Sequence, residues 1–301
     1  MKRLFNQFII KMLSYFPLSI IRLIAGRYVA GENVEDALKV VNKLNQKGFS
    51  ATVDILGEHT NDEDIAQDIT REYQTLLCRI RDQKLNCNIS IKPSHLGMDL
   101  SNECIYKNMN RLIGTAREYS QFIRIDMEDS TLTDASIDLY RDCKEKYDHV
   151  GTVLQAYLFR SINDLSGLQN IKGINLRLCK GIYREPDDIA IQKRQDINNN
   201  FLKLLHFAFE NNIYVGIATH DLSLIKESYN LITKLNVPKD RFEFQVLYGV
   251  PMSGWLEKHL EHEYKVRVYV PFGKDWYNYS VRRLKENPNI SFYILRDIFR
   301  S

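Results

Sequence analysis

Eight short runs rich in Val, Ile and Leu, each followed by a longer amphipathic or polar stretch, organise the chain after residue 50. The runs are ATVDILGE (51–58), CNISIKPS (87–94), FIRIDMED (122–129), GTVLQAYL (151–158), INLRLCKG (174–181), YVGIATHD (214–221), FEFQVLYG (242–249) and KVRVYVPFG (265–273). Helix-like segments include 61–83, 101–118, 131–146, 187–211, 222–235 and 274–286. Strands alternating with helices specify a parallel sheet. Eight such units in about 250 residues match the size of a closed (β/α)8 barrel of the TIM type. The rival α/β architecture, a doubly wound open sheet, would usually carry a G-x-G-x-x-G turn after an early strand. The chain has no such turn.

The 301 residues are 44% hydrophobic and 26% charged, which excludes a disordered or collagen-like chain. Forty-one Lys plus Arg against 38 Asp plus Glu leave a formal charge of +3, too small an excess to call for nucleic acid as a partner. The five cysteines form no C-x-x-C pair and sit at no metal-ligand spacing, so free thiols in a reducing compartment and no metal site are expected. Residues 4–24 are apolar, but Asn6, Gln7, Lys11 and Arg22 interrupt the run and no small-residue cleavage site follows. The segment reads as an amphipathic helix packed on the domain, with peripheral membrane contact as the alternative, and the protein reads as cytoplasmic. Residues 1–45 form an N-terminal helical segment in which Asn33 could cap a second helix, and 46–301 form the barrel.

Barrel enzymes build their active sites at the C-terminal ends of the strands. Here those ends carry Glu58, Lys92, Asp126 with Glu128, Gln155, Arg177 with Lys180, Thr219-His220-Asp221, Gln245 and Tyr269, one set per run. Lys92, Asp126, Gln155, Arg177 and Gln245 lie within otherwise apolar strands, where burying them is costly unless they pair or bind something. By alternation Arg177 and Cys179 share a face, with Lys180 opposite or in the turn. Arg124, Asp126 and Glu128 also share a face, so an Arg124–Asp126 or Arg124–Glu128 structural pair is the alternative to a functional Asp126. After the last strand, Tyr279, Arg282, Arg283 and Glu286 fall along one side of a helix. Adjacent arginines beside tyrosines suit a carboxylate attached to an apolar ring. A basic surface helix with Arg–Glu pairs is the plain alternative.

The strings RYVAGENVEDAL, VDILGE, SIKPSHLGMDLS, RIDMEDS, TVLQAYLFRS, LRLCKGIY, ATHD, EFQVLYGV and YVPFGKDWYNYSVRRLKEN, in register from about residue 27 to 290, together resemble proline dehydrogenase of the bacterial monofunctional, flavin-dependent type. The resemblance implies a distorted (β/α)8 barrel that binds FAD and oxidises L-proline to 1-pyrroline-5-carboxylate by hydride transfer to flavin N5. It assigns Lys92, Arg282 and Arg283 to the proline carboxylate, and Tyr269, Tyr279 and Leu247 to the ring. It makes Asp126 the residue that orients the arginine side of the pocket and Tyr279, and brings Arg177 to the flavin, where a cationic donor favours electron uptake. Met127 and Gln155 would contact the isoalloxazine, while Cys179, Lys180, Gly181, Thr219, His220 and Gln245 would line the rest of the FAD. Glu58 would be a gate carboxylate closing over an active-site arginine, with Glu286 grouped beside it.

The resemblance further implies a membrane quinone as electron acceptor, a docking role for the apolar N-terminus, and hand-over of product to a pyrroline-carboxylate dehydrogenase. The chain departs from the family pattern at Cys179, where Val is common, at Pro93, where members vary, and at Asp221, where Asn is frequent. Two other functions are weighed. Hydroxyproline-preferring members tend to replace the strand-8 tyrosine, which Tyr269 retains here. A cofactor-free lyase would use Lys92 or Lys180 as a Schiff-base amine.

Overall fold

In the computed structural model, which describes residues 26–277 and 279–281, eight parallel strands close into a barrel in sequence order. They are β1 (Ser50–Ile55), β2 (Cys87–Ile91), β3 (Ile123–Ile125), β4 (Val150–Gln155), β5 (Asn175–Cys179), β6 (Tyr214–Ala218), β7 (Phe242–Leu247) and β8 (Val266–Phe272). The helices are α1 (Val34–Gln46), α2 (Glu63–Asp82), α3 (Asn102–Glu118), α4 (Thr133–Lys146), α5 (Ser161–Leu168), α6 (Arg194–Glu210), α7 (Leu222–Lys234) and α8 (Trp255–Glu261). The (β/α)8 fold expected from the alternation is therefore present, and all eight runs hold their strands. The expected amphipathic helix over 4–24, and Arg282, Arg283 and Glu286, lie outside the described residues.

Period-2 alternation decides which residues face where. In β1, Ala51, Val53 and Ile55 are buried in the core shared with the helices, while Thr52 and Asp54 are buried polar residues between them. The same division runs round the sheet: Ile89 and Ile91, Ile123 and Ile125, Leu176 and Leu178, Val215 and Ile217, and Val266, Val268 and Val270 belong to the outer core. The intervening positions are polar except in β6, where Gly216 makes room for the Gln245 side chain. Most barrels fill their interior with branched aliphatic side chains. This one fills it with Asp54, Ser90, Arg124, Arg177, Glu243 and Gln245, all buried.

Local chemistry starts the helices where the sequence suggests. Asn33 caps α1, its side chain accepting from the Asp36 N–H at 3.0 Å, and Ala37, Leu38 and Val41 carry α1 into the barrel's own core. Asp62, Ser101 and Asp221 cap α2, α3 and α7 in the same way. Helix α6 starts at Arg194 rather than near 187. The residues before it are held instead by a bridge between Leu158 and Ala190 and by the Ile191 N–H donating to the Tyr157 carbonyl at 2.7 Å.

The segment before α1 seals the end of the barrel near β8. The Ala30 N–H donates to the Pro271 carbonyl at 2.9 Å, and the Gly273 N–H donates to the Gly31 carbonyl at 3.0 Å. Gly249, at φ +76°, lets this segment approach: a Cβ there would lie 1.7 Å from the Arg27 carbonyl oxygen. Gly249→Ala should therefore displace the Arg27–Gly31 segment and lower Tm by several degrees, at roughly 2 °C for each kcal/mol lost in a domain of this size. Differential scanning calorimetry checks this, and an unchanged Tm would contradict the packing described.

Candidate active site

Two buried ion pairs lie side by side at the C-terminal half of the barrel. Asp54 ends its run of inward residues on β1, and Lys92 follows β2; Lys92 Nζ meets Asp54 Oδ2 at 2.6 Å. Asp126 follows β3, and Arg177 stands in the middle of β5; the Arg177 guanidinium meets Asp126 Oδ1 at 2.6 Å. Ser90 and Tyr269 join the pairs. Ser90 Oγ donates to Asp126 Oδ1 at 2.6 Å, and Tyr269 OH donates to Asp54 Oδ2 at 2.7 Å and lies 3.4 Å from Asp126 Oδ2. The Arg177 guanidinium also lies 5.3 Å from the centre of the Tyr269 ring. On its other side Arg177 Nε donates to Gln245 Oε1 at 2.7 Å.

This geometry sets the charge states. Burial pushes the Asp54 carboxyl up, opposed by Lys92. Burial also works against the Lys92 ammonium, but Asp54 and Asp126 outweigh it and hold Lys92 protonated, above an ordinary lysine. Tyr269 is driven well above the usual phenol range by burial and by the two aspartates, so it stays a neutral donor. The cluster presents cations and a hydroxyl donor, each held from behind by a carboxylate.

Several expected strand ends need correction. Glu58 does not end β1, which stops at Ile55; it sits half-buried in the following loop. Lys92 likewise follows β2, Asp126 and Glu128 follow β3, and Lys180 and the Thr219-His220-Asp221 group follow β5 and β6. The alternative pairing of Arg124 with Asp126 or Glu128 is also absent: Arg124 donates to the Thr152 and Asn175 carbonyls at 2.8 and 2.6 Å, pointing away along the barrel.

The remaining expected residues flank the pairs. Lys180 Nζ meets Asp221 Oδ2 at 2.6 Å, and the same oxygen takes Arg194 at 2.9 Å and Asn198 at 3.3 Å. Burial alone would raise the Asp221 carboxyl, but these donors hold it well below the usual range. His220 Nε2 accepts from the Leu247 N–H at 2.9 Å, joining β6 to β7. Thr219 and Met127 are buried, and Tyr279 is buried on the helical residues after β8. Cys179 lies against the Leu154 carbonyl, and burial raises its thiol to about 11. Gly181 is at φ +102°, and a Cβ there would strike the Tyr157 ring. Gln155 is buried with its Nε2 3.4 Å from the Met127 carbonyl and its Oε1 without a partner in the protein. Among the described residues, no group of three or more His, Cys, Asp and Glu is placed to hold a metal ion.

Asp54, Ser90, Tyr73 and Ser94 were not singled out from sequence. Asp54 had a signal, since Thr52 and Asp54 alternate with the apolar positions of β1. Tyr73 had none: it reaches from α2 to donate toward the Ser90 carbonyl at 2.9 Å and Asp54 Oδ1 at 3.1 Å. Ser94 ties the Glu58 loop down. It accepts the His59 N–H at 3.0 Å and the Thr60 N–H at 3.2 Å, and its own N–H donates to Glu128 Oε2 at 2.9 Å.

A closed parallel barrel with ion-paired side chains gathered at the C-terminal ends of its strands is of the (β/α)8 class, whose enzymes carry their active sites at that face. The model of the proline dehydrogenase family matches residues 37–293. The chain is 37% identical over 272 residues to proline dehydrogenase 2 of Bacillus subtilis strain 168, covering 90% of this chain and 89% of that one. It is 34% identical over 283 residues to the proline dehydrogenase of Deinococcus radiodurans, covering 92% and 90%. The crystal structure of proline utilization A from Bdellovibrio bacteriovorus, inactivated by N-propargylglycine, superposes with a TM-score of 0.81 at 25% identity. That match covers 88% of this chain and 32% of the larger protein, so the chain spans about a third of it. The chain belongs to the proline dehydrogenase family.

Burial raises the Glu128 carboxyl to about 7, against the donors of Ser94. The folded state therefore resists ionising a group that the unfolded chain ionises near 4.5. Stability from this group is complete below that lower value and is lost as pH rises through about 7. Glu128→Gln should remove the trend, so the wild type loses on the order of 3 kcal/mol relative to the variant across that window. Denaturant melts of both proteins at each end of the window measure it. A constant difference would refute the assignment.

Proposed function

We propose that the protein is an FAD-dependent L-proline dehydrogenase producing 1-pyrroline-5-carboxylate, the first step in converting proline to glutamate. The observation that carries this reading is the pair of buried cations, Lys92 and Arg177, each backed by its own aspartate beside Tyr269. Lys92, with Arg282 and Arg283 from the sequence motif, takes the substrate carboxylate by charge-assisted hydrogen bonds. Tyr269, Tyr279 and Leu247 pack round the ring. Asp126 fixes Arg177, and Asp54 fixes Lys92 and Tyr269, so none of these groups has to reorganise when substrate arrives. The proline nitrogen enters as the neutral amine. Glu58, on the loop tied down through Ser94, closes the pocket and excludes water, and the sequence motif groups Glu286 with it as a gate residue.

The residues present fit FAD. Gln155 Oε1 is a buried acceptor without a protein donor, which costs free energy unless a ligand supplies one. Gln155, Met127, Arg177, Cys179, Lys180, Gly181, Thr219, His220 and Gln245 would hold the cofactor, with Arg177 and Lys180 as its cationic donors. Bound FAD would supply the acceptor for the hydride from the carbon next to the proline nitrogen.

A quinone is the proposed final acceptor, with the N-terminal segment as the part that touches a membrane, and the protein is placed in the cytoplasm or at the membrane's inner face. No helix among the described residues is long and apolar enough to cross a membrane. A pyrroline-carboxylate dehydrogenase is the proposed recipient of the product. The division at residue 45 is likewise proposed, as a boundary within one folded body since α1 shares the barrel core. The lyase reading loses support because both candidate amines are engaged, Lys92 with Asp54 and Lys180 with Asp221, each at 2.6 Å, whereas a Schiff-base lysine must be available as the free amine.

Product formation from L-proline, followed by trapping the pyrroline while an artificial quinone is reduced, tests the reading; no product from FAD-loaded protein would refute it. Asp54→Asn should lower kcat/KM for L-proline roughly 10–100-fold, chiefly through KM, because the buried ammonium loses the carboxylate that positions it. An unchanged KM would sink that positioning role. Tyr269→Ser should shift preference toward hydroxyproline by opening space beside the ring, read as the ratio of kcat/KM for the two substrates. A ratio that stays the same would contradict Tyr269 as the selecting residue.

A further inference from the structure

Tyr73 of α2 is fully buried, and its ring belongs to the apolar layer between sheet and helices, but its hydroxyl does not end there. It ends in the seam between β1 and β2. The Ala51 N–H donates to the Asn86 carbonyl at 3.0 Å, and Asp54 pairs with Ser90 in the same parallel register. Four residues further along each strand, that register would join the Ile55 N–H directly to the Ser90 carbonyl. The phenol stands between the two instead. It accepts from the Ile55 N–H at 3.1 Å and lies 2.9 Å from the Ser90 carbonyl as a donor. These backbone groups needed no tyrosine, because each could have satisfied the other.

What the inserted hydroxyl adds is a donor for Asp54. Oδ2 of that fully buried carboxylate takes Lys92 at 2.6 Å and Tyr269 at 2.7 Å. Oδ1 has Tyr73, at 3.1 Å, as its one hydrogen-bond partner among the described residues. The Ile55 N–H occupies the acceptor side of the phenol, so the single phenol hydrogen is left for the Ser90 carbonyl or Asp54 Oδ1. A charged acceptor draws it more strongly than a neutral one. Burial and the Asp54 charge drive the phenol well above its usual range, so the hydrogen stays in place. Ser90, whose carbonyl faces the phenol, uses its own hydroxyl to hold Asp126 at 2.6 Å. Tyr73 thus stands behind both ion pairs.

We propose that Tyr73 is a positioning residue for the substrate carboxylate, acting through Asp54 on Lys92. With Oδ1 occupied, the Asp54 carboxylate keeps one oxygen toward Lys92 and Tyr269 and does not turn both oxygens onto the ammonium. Lys92 therefore retains N–H donors for an incoming carboxylate. Without the phenol hydrogen, Asp54 grips Lys92 with both oxygens and competes with the substrate for it. The role rests on reading Lys92 as the group that takes the proline carboxylate.

Steady-state kinetics of the FAD-loaded, full-length Tyr73→Phe variant tests the proposal, since Phe keeps the ring in its layer and removes only the hydroxyl. KM for L-proline should rise about tenfold with kcat within about twofold. Cyclopentanecarboxylate, which has the ring and carboxylate but no amine to oxidise, should compete with L-proline, and its Ki should rise by the same factor. In the Asp54→Asn background the Tyr73→Phe step should change KM by less than about twofold, because the carboxylate through which Tyr73 acts is gone. An unchanged KM, a loss confined to kcat, or a full effect that persists in the Asp54→Asn background would each overturn the role, the last by making Tyr73 a packing residue only. Should Tyr73→Phe fail to fold, 3-fluorotyrosine placed at position 73 carries the test. Its hydroxyl is the stronger donor, so KM should fall at least about twofold, and a KM that stays or rises would overturn the role. A wild type that oxidises no L-proline refutes the substrate reading and this role with it, before any variant is compared.

Discussion

Charge buried inside the barrel is the constraint on which the rest of this structure depends. Taking an ammonium or a guanidinium out of water costs several kcal/mol, and the cost is recovered only through close, well-bonded partners. Lys92 and Arg177 meet that condition with Asp54 and Asp126, each at 2.6 Å. Well-packed hydrophobic residues of similar volume would fold at least as well in such positions. Under the proposed function, the less economical solution holds Lys92 in place for the substrate carboxylate and Arg177 in place for the flavin before either binds.

That choice reorganises the whole interior. With polar groups facing inward, the hydrophobic core is displaced to the layer between sheet and helices, where Val53, Ile91, Ile125, Leu178 and Ile217 are all buried. The inward residues then satisfy one another in series, from Arg267 through Glu243, Gln245 and Arg177 to Asp126 and Ser90. Rim and floor are thereby one hydrogen-bonded column rather than two separate layers. The loops obey the same logic: Glu128, buried in the loop after β3, organises Ser94, and Ser94 organises the loop that carries Glu58.

The barrel was legible in the sequence because its two periodicities are strong and repeat eight times. The residues within the strands were legible too: Asp126, Gln155, Arg177 and Gln245 stand at or beside the strand positions that alternation assigns them. Strand ends were not. An apolar run does not reveal where pairing stops, so Glu58 was read as a strand end while Asp54, four residues earlier, holds the inward position. The short helices Ser161–Leu168 and Trp255–Glu261 carry too few turns for a clear periodic signal. Partners that arrive from distant elements were beyond reach, as with Tyr73 from α2 and Asn175 beneath Arg124. The departure at Asp221 is explained by the structure, since one carboxylate oxygen serves Lys180, Arg194 and Asn198 while the other caps α7.

Family membership names the chemistry, and the paired charges explain how this chain would carry it out. The most direct test of the account is the visible absorption spectrum of the purified, FAD-loaded protein, recorded without oxygen before and after L-proline is added. The account predicts flavin bands that bleach on addition of L-proline. A protein that takes up no FAD, or one whose flavin bands are unmoved by L-proline and hydroxyproline alike, would contradict it.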